Sequence, residues 1–255
     1  MATALITGGT SGIGEEFARQ LAARGDDLVL VARDADRLAE AAAALKDRYG
    51  IAVETVTADL ADRSDTRRVV DRLTDAAQPI DILINNAGFG VPEKLTSENI
   101  EAHDHAIDVM IRAVLVLAGA AGRVMRARGA GVIINVSSTA SFISMGHYSA
   151  IKAWVTTFSE SLSNELNGSG VHVTALCPGY VRTDFHRRAS IRTGRIPSAL
   201  WLDLDEMVRD GLADVDRGRV VSIPSRRYKT LIFFIRLFPR AAVRAVSMRL
   251  TSTRH

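Results

Sequence analysis

The chain has 255 residues, 47% of them hydrophobic and 24% charged, which is enough apolar material for one large core and points to a single domain. Its one cysteine, Cys177, excludes an internal disulfide and is compatible with a reducing compartment, so the cytoplasm is the expected location. The formal charge of +3 conceals a division: the chain after Asp216 holds ten Lys and Arg and no Asp or Glu, which leaves 22 basic against 29 acidic residues before it and argues against a nucleic-acid-binding domain as a whole.

From the first residues, short β-branched runs alternate with longer helix-patterned segments, the pattern of βαβ units in a parallel sheet. Residues 2–7 read as a strand that meets Gly8 and Gly9 too soon for a signal peptide. A helix is expected over 12–23, with Ile13, Phe17 and Leu21 on one face and Gly25 as a left-handed cap. Strands at 28–32 and 51–56 flank a helix over 34–49 that Asp34 caps. A charged helix over 62–77 leads, after Pro79, into a strand at 80–84. A long helix over 97–128, a strand at 132–136, a helix over 147–167 and a strand at 171–176 follow, the last stopped by Pro178-Gly179. Near-continuous Val, Ile and Leu in these strands predict a doubly wound α/β sheet covered on both faces. Residues 180–197, polar and without period, read as a lid loop with a short helix. The expected division is a catalytic domain over 1–225 and a basic amphipathic extension over 226–255.

The first strand ends in Thr7-Gly8-Gly9-Thr10-Ser11-Gly12-Ile13-Gly14, between strand and helix, which is the setting of a phosphate-binding turn. Glycine there admits positive φ and close approach of an anion to the backbone, while the helix start presents free N–H groups. At the tip of the second strand, where an acidic residue would bind a ribose 2′-hydroxyl, stands Ala32-Arg33. A guanidinium pairs with phosphate instead, so NADP(H) is expected over NAD(H), with Asp34 assigned to capping.

Tyr148 and Lys152, four apart at the start of a helix, share one face. A free phenol titrates near 10, and a neighbouring ammonium and a positively charged nicotinamide ring are both expected to lower it. Taken in order, the glycine turn, Asp59, Asn85-Asn86-Ala87-Gly88, Asn135-Val136-Ser137-Ser138, Tyr148 to Lys152 and Pro178-Gly179 resemble the short-chain dehydrogenase/reductase family across residues 3–183.

That resemblance implies a Rossmann-type sheet of about seven strands, a homodimer or homotetramer, and NADP(H)-dependent interconversion of a carbonyl and its alcohol. It implies that Tyr148 transfers the proton, that Ser138 binds the substrate oxygen, and that Lys152 holds the nicotinamide ribose while tuning Tyr148. It assigns the cofactor to Gly8, Thr10, Ser11, Gly12, Ile13 and Gly14, with Arg33 at the second strand and Asp59 near the adenine. Asn86 and Gly88 would support the fourth strand and the adenosine side, and Thr183 would meet the carboxamide. Leu60, Ala87, Pro178, Gly179 and Val181 complete the expected contacts.

Two departures stand out. Met110 occupies the place of the family's helical Asn, which helps position a water beside the lysine, and methionine cannot supply those hydrogen bonds. The lysine is then left to another carbonyl, or turnover is slow, and a catalytically weak NADP(H)-sensing protein is the rival reading. The second departure is a loop between Ser138 and Tyr148 shorter than the family's, which predicts a more open pocket mouth. Ser137 remains an alternative to Ser138, since strand alternation sends neighbours to opposite faces. His147 reads as a cap or packing residue, and the six histidines show no metal-ligand spacing. Phe89, Phe142, Ile143, Met145, Tyr180 and Trp201 are the expected lining of a pocket for a small-molecule carbonyl or alcohol with a sizeable apolar part.

In the tail, the apolar run 231–238 is broken by Arg236 and too short to span a bilayer. After Pro239, Ala242, Val243, Val246 and Leu250 alternate with Arg240, Arg244 and Arg249. Packing against the body or a sister subunit is the first reading, with peripheral contact at a membrane surface and a disordered end as the others.

Overall fold

A computed structural model of the chain describes residues 1–183 and 197–252. The strands are β1 (Thr3–Thr7), β2 (Asp27–Ala32), β3 (Val53–Thr57), β4 (Ile82–Asn85), β5 (Gly131–Val136), β6 (Val171–Leu176), β7 (Tyr180–Val181), β8 (Trp201–Leu202) and β9 (Val221–Ser222). The helices are α1 (Gly12–Ala23), α2 (Ala35–Tyr49), α3 (Arg63–Leu73), α4 (Ile100–Ile107), α5 (Ala113–Arg128), α6 (His147–Glu165), α7 (Leu204–Asp216), α8 (Arg226–Leu237) and α9 (Arg240–Ser252). Seven strands form one sheet in the order β3-β2-β1-β4-β5-β6-β9, parallel throughout, while β7 and β8 pair separately. This is a Rossmann-type doubly wound sheet.

The continuous apolar strands are explained by two cores, one on each face of the sheet. Leu5, Val29, Leu83, Ile133 and Val173 pack toward α3, α5 and α6. Ala4, Ile6, Leu30, Ile84, Ile134 and Leu176 point the other way, against α1, α2 and α7. Because strand side chains alternate, a strand buried on both sides has no polar face to show in its sequence. The strand order reverses between β1 and β4, so a crevice opens there at the carboxyl ends of the strands.

Several boundaries differ from expectation. The fourth strand begins at Ile82, where pairing with Ala4 starts. The third strand begins at Val53, where pairing with Leu28 starts. The long helix is not continuous: a π-helical turn, Asp108–Arg112, separates α4 from α5 and carries Met110. Residues 184–196, the greater part of the expected lid, lie outside the described residues, as do the side chains of Arg240, Val246, Arg249 and Leu250.

Candidate active site

The glycine turn is built around Thr7. Its hydroxyl donates to the Ile84 carbonyl at 3.4 Å and accepts the N–H groups of Asn86 and Ala87 at 2.9 and 3.0 Å, so β1 and β4 are locked together at their tips. The Asn86 amide donates to the carbonyls of Thr7 and Gly8 at 2.9 and 3.2 Å, fixing the turn from below. Gly8 and Gly12 have φ of +68° and +57°, which only glycine adopts without strain. Gly14 underlies the turn and does not line the cleft: a Cβ there would lie 2.2 Å from the Gly8 carbonyl oxygen.

Asp34, Asp62 and Asp203 cap α2, α3 and α7 through their carboxylates, whereas the Ser11 side chain makes no cap bond at α1. An acceptor from outside the chain is what such a helix start is suited to receive. Arg33 lies beside the turn as expected. Arg37 joins it, donating to the Thr10 carbonyl at 3.1 Å. The sequence reading missed Arg37, although a cation in the first turn of a helix works against the helix dipole and so was a signal. The turn, the uncapped helix start and the two guanidiniums together fit a phosphate-bearing dinucleotide.

From this turn one cleft of about 1960 Å³ runs to the start of α6. It is lined by every expected site residue except Gly14: Gly8 to Ile13, Arg33, Asp59, Leu60, Asn86 to Gly88, Ser138, Tyr148, Lys152, Pro178, Gly179, Val181 and Thr183, with Gly9 alone in that first stretch set back from the surface. The Thr183 methyl reaches to 3.3 Å from where a Gly12 Cβ would stand, so the far wall closes onto the turn. Asp59 is tied locally, accepting the Ala61 N–H at 3.0 Å.

At the other end, Ser138 opens a short 3-10 turn (Thr139–Phe142) and accepts the Ala140 N–H at 3.1 Å. It also faces the Tyr148 phenol closely enough to pull that group's pKa downward. The shorter loop therefore still brings the two together. Ser137 is removed from contention: its hydroxyl is buried against the Lys152 carbonyl at 2.8 Å and Thr156 Oγ1 at 2.7 Å. One turn along α6, Lys152 Nζ donates to the Val136 carbonyl at 2.8 Å and stands 5.6 Å from the centre of the Tyr148 ring.

Burial dominates the electrostatics here. It pushes the Tyr148 phenol above its usual value, with the Ser138 hydroxyl pulling less strongly the other way. It lowers the Lys152 ammonium to about 8. The phenol is thus raised where a lowering was expected, because desolvation outweighs the contribution of Ser138. Cys177 is fully buried, its thiol pushed up to about 11 by the same cause. His147 packs its ring edge against His103, with the two Nδ1 atoms 2.7 Å apart.

Of the expected pocket residues, Phe89, Ile143, Met145 and Tyr180 line the cleft. Phe142 does not, being covered by the Arg236 guanidinium at 4.8 Å, and Trp201 packs on Tyr180 and under Arg182 behind the wall. Their places are taken by α8 and α9, with Leu231, Phe234, Ile235, Phe238 and Val243. Tyr228 keys α8 to the Pro178-Gly179 turn. Its hydroxyl donates to the Leu200 carbonyl at 2.7 Å and accepts the Tyr180 N–H at 3.1 Å. Its ring fills the space beside Gly179, where a Cβ would lie 2.1 Å from the ring carbon.

A family model for short chain dehydrogenases matches residues 2–193. The chain belongs to the short-chain dehydrogenase/reductase family. It is similar to a short-chain dehydrogenase from Sphingobium yanoikuyae solved in complex with NADPH, at 38% identity and a TM-score of 0.84, over 91% of this chain and 92% of that one. It is similar also to a bulky-bulky ketone specific alcohol dehydrogenase from Comamonas testosteroni, at 32% identity and a TM-score of 0.79, over 94% and 96% of the two chains. An uncharacterized oxidoreductase of Staphylococcus saprophyticus is 36% identical over 71% of this chain and 78% of its own length. This family member is accordingly an oxidoreductase of the short-chain dehydrogenase type.

Proposed function

We propose that this dehydrogenase/reductase reduces the carbonyl of a largely apolar ketone or aldehyde with NADPH, and oxidises the corresponding alcohol in reverse. The observation that carries the reading is that Ser138, Tyr148 and Lys152, the last 5.6 Å from the centre of the Tyr148 ring, line the same cleft as the glycine turn. The backbone at Thr10 to Ile13 would hold the pyrophosphate, Arg33 and Arg37 the 2′-phosphate, and Asp59 and Leu60 the adenine side. Lys152, Pro178, Gly179, Val181 and Thr183 would hold the nicotinamide end. When bound, NADPH supplies the hydride.

The chain supplies the proton and the fit. A phenol held above its usual value stays protonated at neutral pH, so Tyr148 keeps a proton on its oxygen for the carbonyl oxygen as that becomes alkoxide. Ser138 donates a hydrogen bond to the same developing charge. Lys152, at about 8, is still largely ammonium near neutrality and places its charge beside both groups. Preference for NADPH over NADH rests on the two guanidiniums, and is supported by the NADPH found in the Sphingobium relative. The apolar substrate rests on the α8 and α9 wall, and the ketone named for the Comamonas relative is of the same character.

The test is loss of NADPH absorbance with a panel of apolar ketones, for the wild type and Tyr148→Phe. Turnover by the wild type, reduced about 10²- to 10⁴-fold in the variant with NADPH binding retained, is the expected outcome. NADPH binding by both proteins with turnover by neither would replace the enzyme with the cofactor-sensing protein that Met110 suggests.

A further inference from the structure

Half of the twelve exposed large apolar side chains among the described residues lie in α8, just after it, or in α9: Leu231, Phe233, Phe234, Leu237, Phe238 and Met248. They are not scattered. Tyr228 and Ile232, one turn apart, anchor α8 to the body, and this fixes which face turns out. Phe233 and Leu237 then point away from the protein, 60% and 64% exposed, on the stripe that begins at Arg226. Leu231, Phe234 and Phe238 curve from that stripe into the mouth of the cleft.

The charge on this surface has one sign. After Asp216 every charged side chain is Lys or Arg. Arg217, Arg219 and Lys229 are gathered around the single carboxylate of Asp214 at 3.6, 3.1 and 3.3 Å. Arg226 and Arg244 are exposed farther out on the helices that carry the apolar face. An isologous contact with a second copy through this face would set arginine against arginine with no carboxylate from the same segment between them. Phenylalanine and leucine beside arginine on short helices suit the headgroup and acyl boundary of a bilayer, and no helix among the described residues is long and apolar enough to cross one.

We propose that the outer face of α8 and α9 docks on an anionic lipid bilayer, with Phe233 and Leu237 inserted below the headgroups and Arg226 and Arg244 among the phosphates. The apolar rim of Leu231, Phe234 and Phe238 is then continuous with the lipid, so that an apolar substrate enters the cleft without crossing water. The delivery of substrate rests on the proposed carbonyl reduction; the docking does not.

Flotation of the full chain with phosphatidylcholine vesicles, with and without phosphatidylglycerol, tests it. Partition is expected only with the anionic lipid, and weaker by at least about tenfold at high salt and for both Phe233→Glu/Leu237→Glu and Arg226→Glu/Arg244→Glu. Equal flotation of the wild type and both variants, or no dependence on anionic lipid, overturns docking. So does light scattering in which Phe233→Glu/Leu237→Glu alone halves the particle mass, since the face would then join two copies. NADPH oxidation with a water-soluble ketone is expected to be unchanged in Phe233→Glu/Leu237→Glu. Loss of that activity from the wild type itself would sink the enzymatic reading and leave flotation to decide docking.

Discussion

Lys152→Met separates the stability of this fold from its chemistry. Lys152 is 4% exposed, and burial brings its ammonium from 10.5 down to about 8. At 1.36 kcal/mol per pH unit, that gap amounts to about 3 kcal/mol by which the folded chain disfavours the charged form. Methionine keeps an unbranched, flexible stem and removes the charge. Against this, the Val136 carbonyl loses its donor at 2.8 Å, which costs about 1 kcal/mol. The variant is therefore expected to be more stable than the wild type by about 2 kcal/mol at neutral pH, or roughly 4–8 °C in Tm for a chain of this size. The pH dependence has a definite sign. A base whose folded value lies below its unfolded value destabilises the fold in full below about 8, and the penalty fades as pH rises toward 10.5, where both states are neutral. The advantage of the variant should shrink across that window and turn into a small deficit above it. Calorimetry of both proteins at several pH values reads the difference. A variant no more stable than the wild type at neutral pH, or an advantage that does not change with pH, would refute the desolvation argument.

Two further substitutions address the ends of the cleft. Arg33→Ala with Arg37→Ala should raise the KM for NADPH by about 10- to 100-fold, the size of lost charge-assisted hydrogen bonds, and leave the KM for NADH nearly unchanged; equal effects on the two cofactors would remove the guanidiniums from the 2′-phosphate. Gly179→Ala forces a methyl group to 2.1 Å from the Tyr228 ring, and should cost about 1–3 kcal/mol in denaturant unfolding. Combining it with Tyr228→Ala should relieve most of that added cost, and strictly additive losses would show that the two positions do not meet.

The architecture was legible because both cores need the same thing from a strand, which is apolar side chains on both faces, and from a helix, one apolar stripe. Strands of five or six residues such as β1, β2 and β6 carry that signal; β9, with two residues paired to Ala175 and Leu176, is too short to carry any. The glycine turn and the Tyr148–Lys152 pair were legible for a different reason: each is a local constellation whose spacing sets its geometry. The choice between Ser137 and Ser138 was not local, since it depends on which of two adjacent side chains meets Thr156 of α6. The substrate wall was hidden for the same reason. Phe142 sits close in sequence to Ser138 and Tyr148 but turns elsewhere, Trp201 packs on Tyr180 outside the cleft, and Phe234 and Phe238 come from a tail that Tyr228 folds back onto it.

Met110 and the lysine are better understood together than apart. The π-helical turn sets the Met110 thioether 3.2 Å from where a Gly88 Cβ would stand, and Lys152 Nζ is 3.7 Å from the same point. Gly88 is thus the gap through which the methionine approaches the lysine, and any side chain there would push one of them away. An apolar neighbour in place of an amide adds to the desolvation that lowers the ammonium, and the Val136 carbonyl holds it without contributing a charge. A lysine at 10.5 surrenders its proton slowly near neutrality and profits from a relay of polar groups; one at about 8 exchanges more readily with whatever oxygen faces it. In the proposed reaction, then, the methionine that cannot pass a proton on also lowers the energy needed for Lys152 to release one.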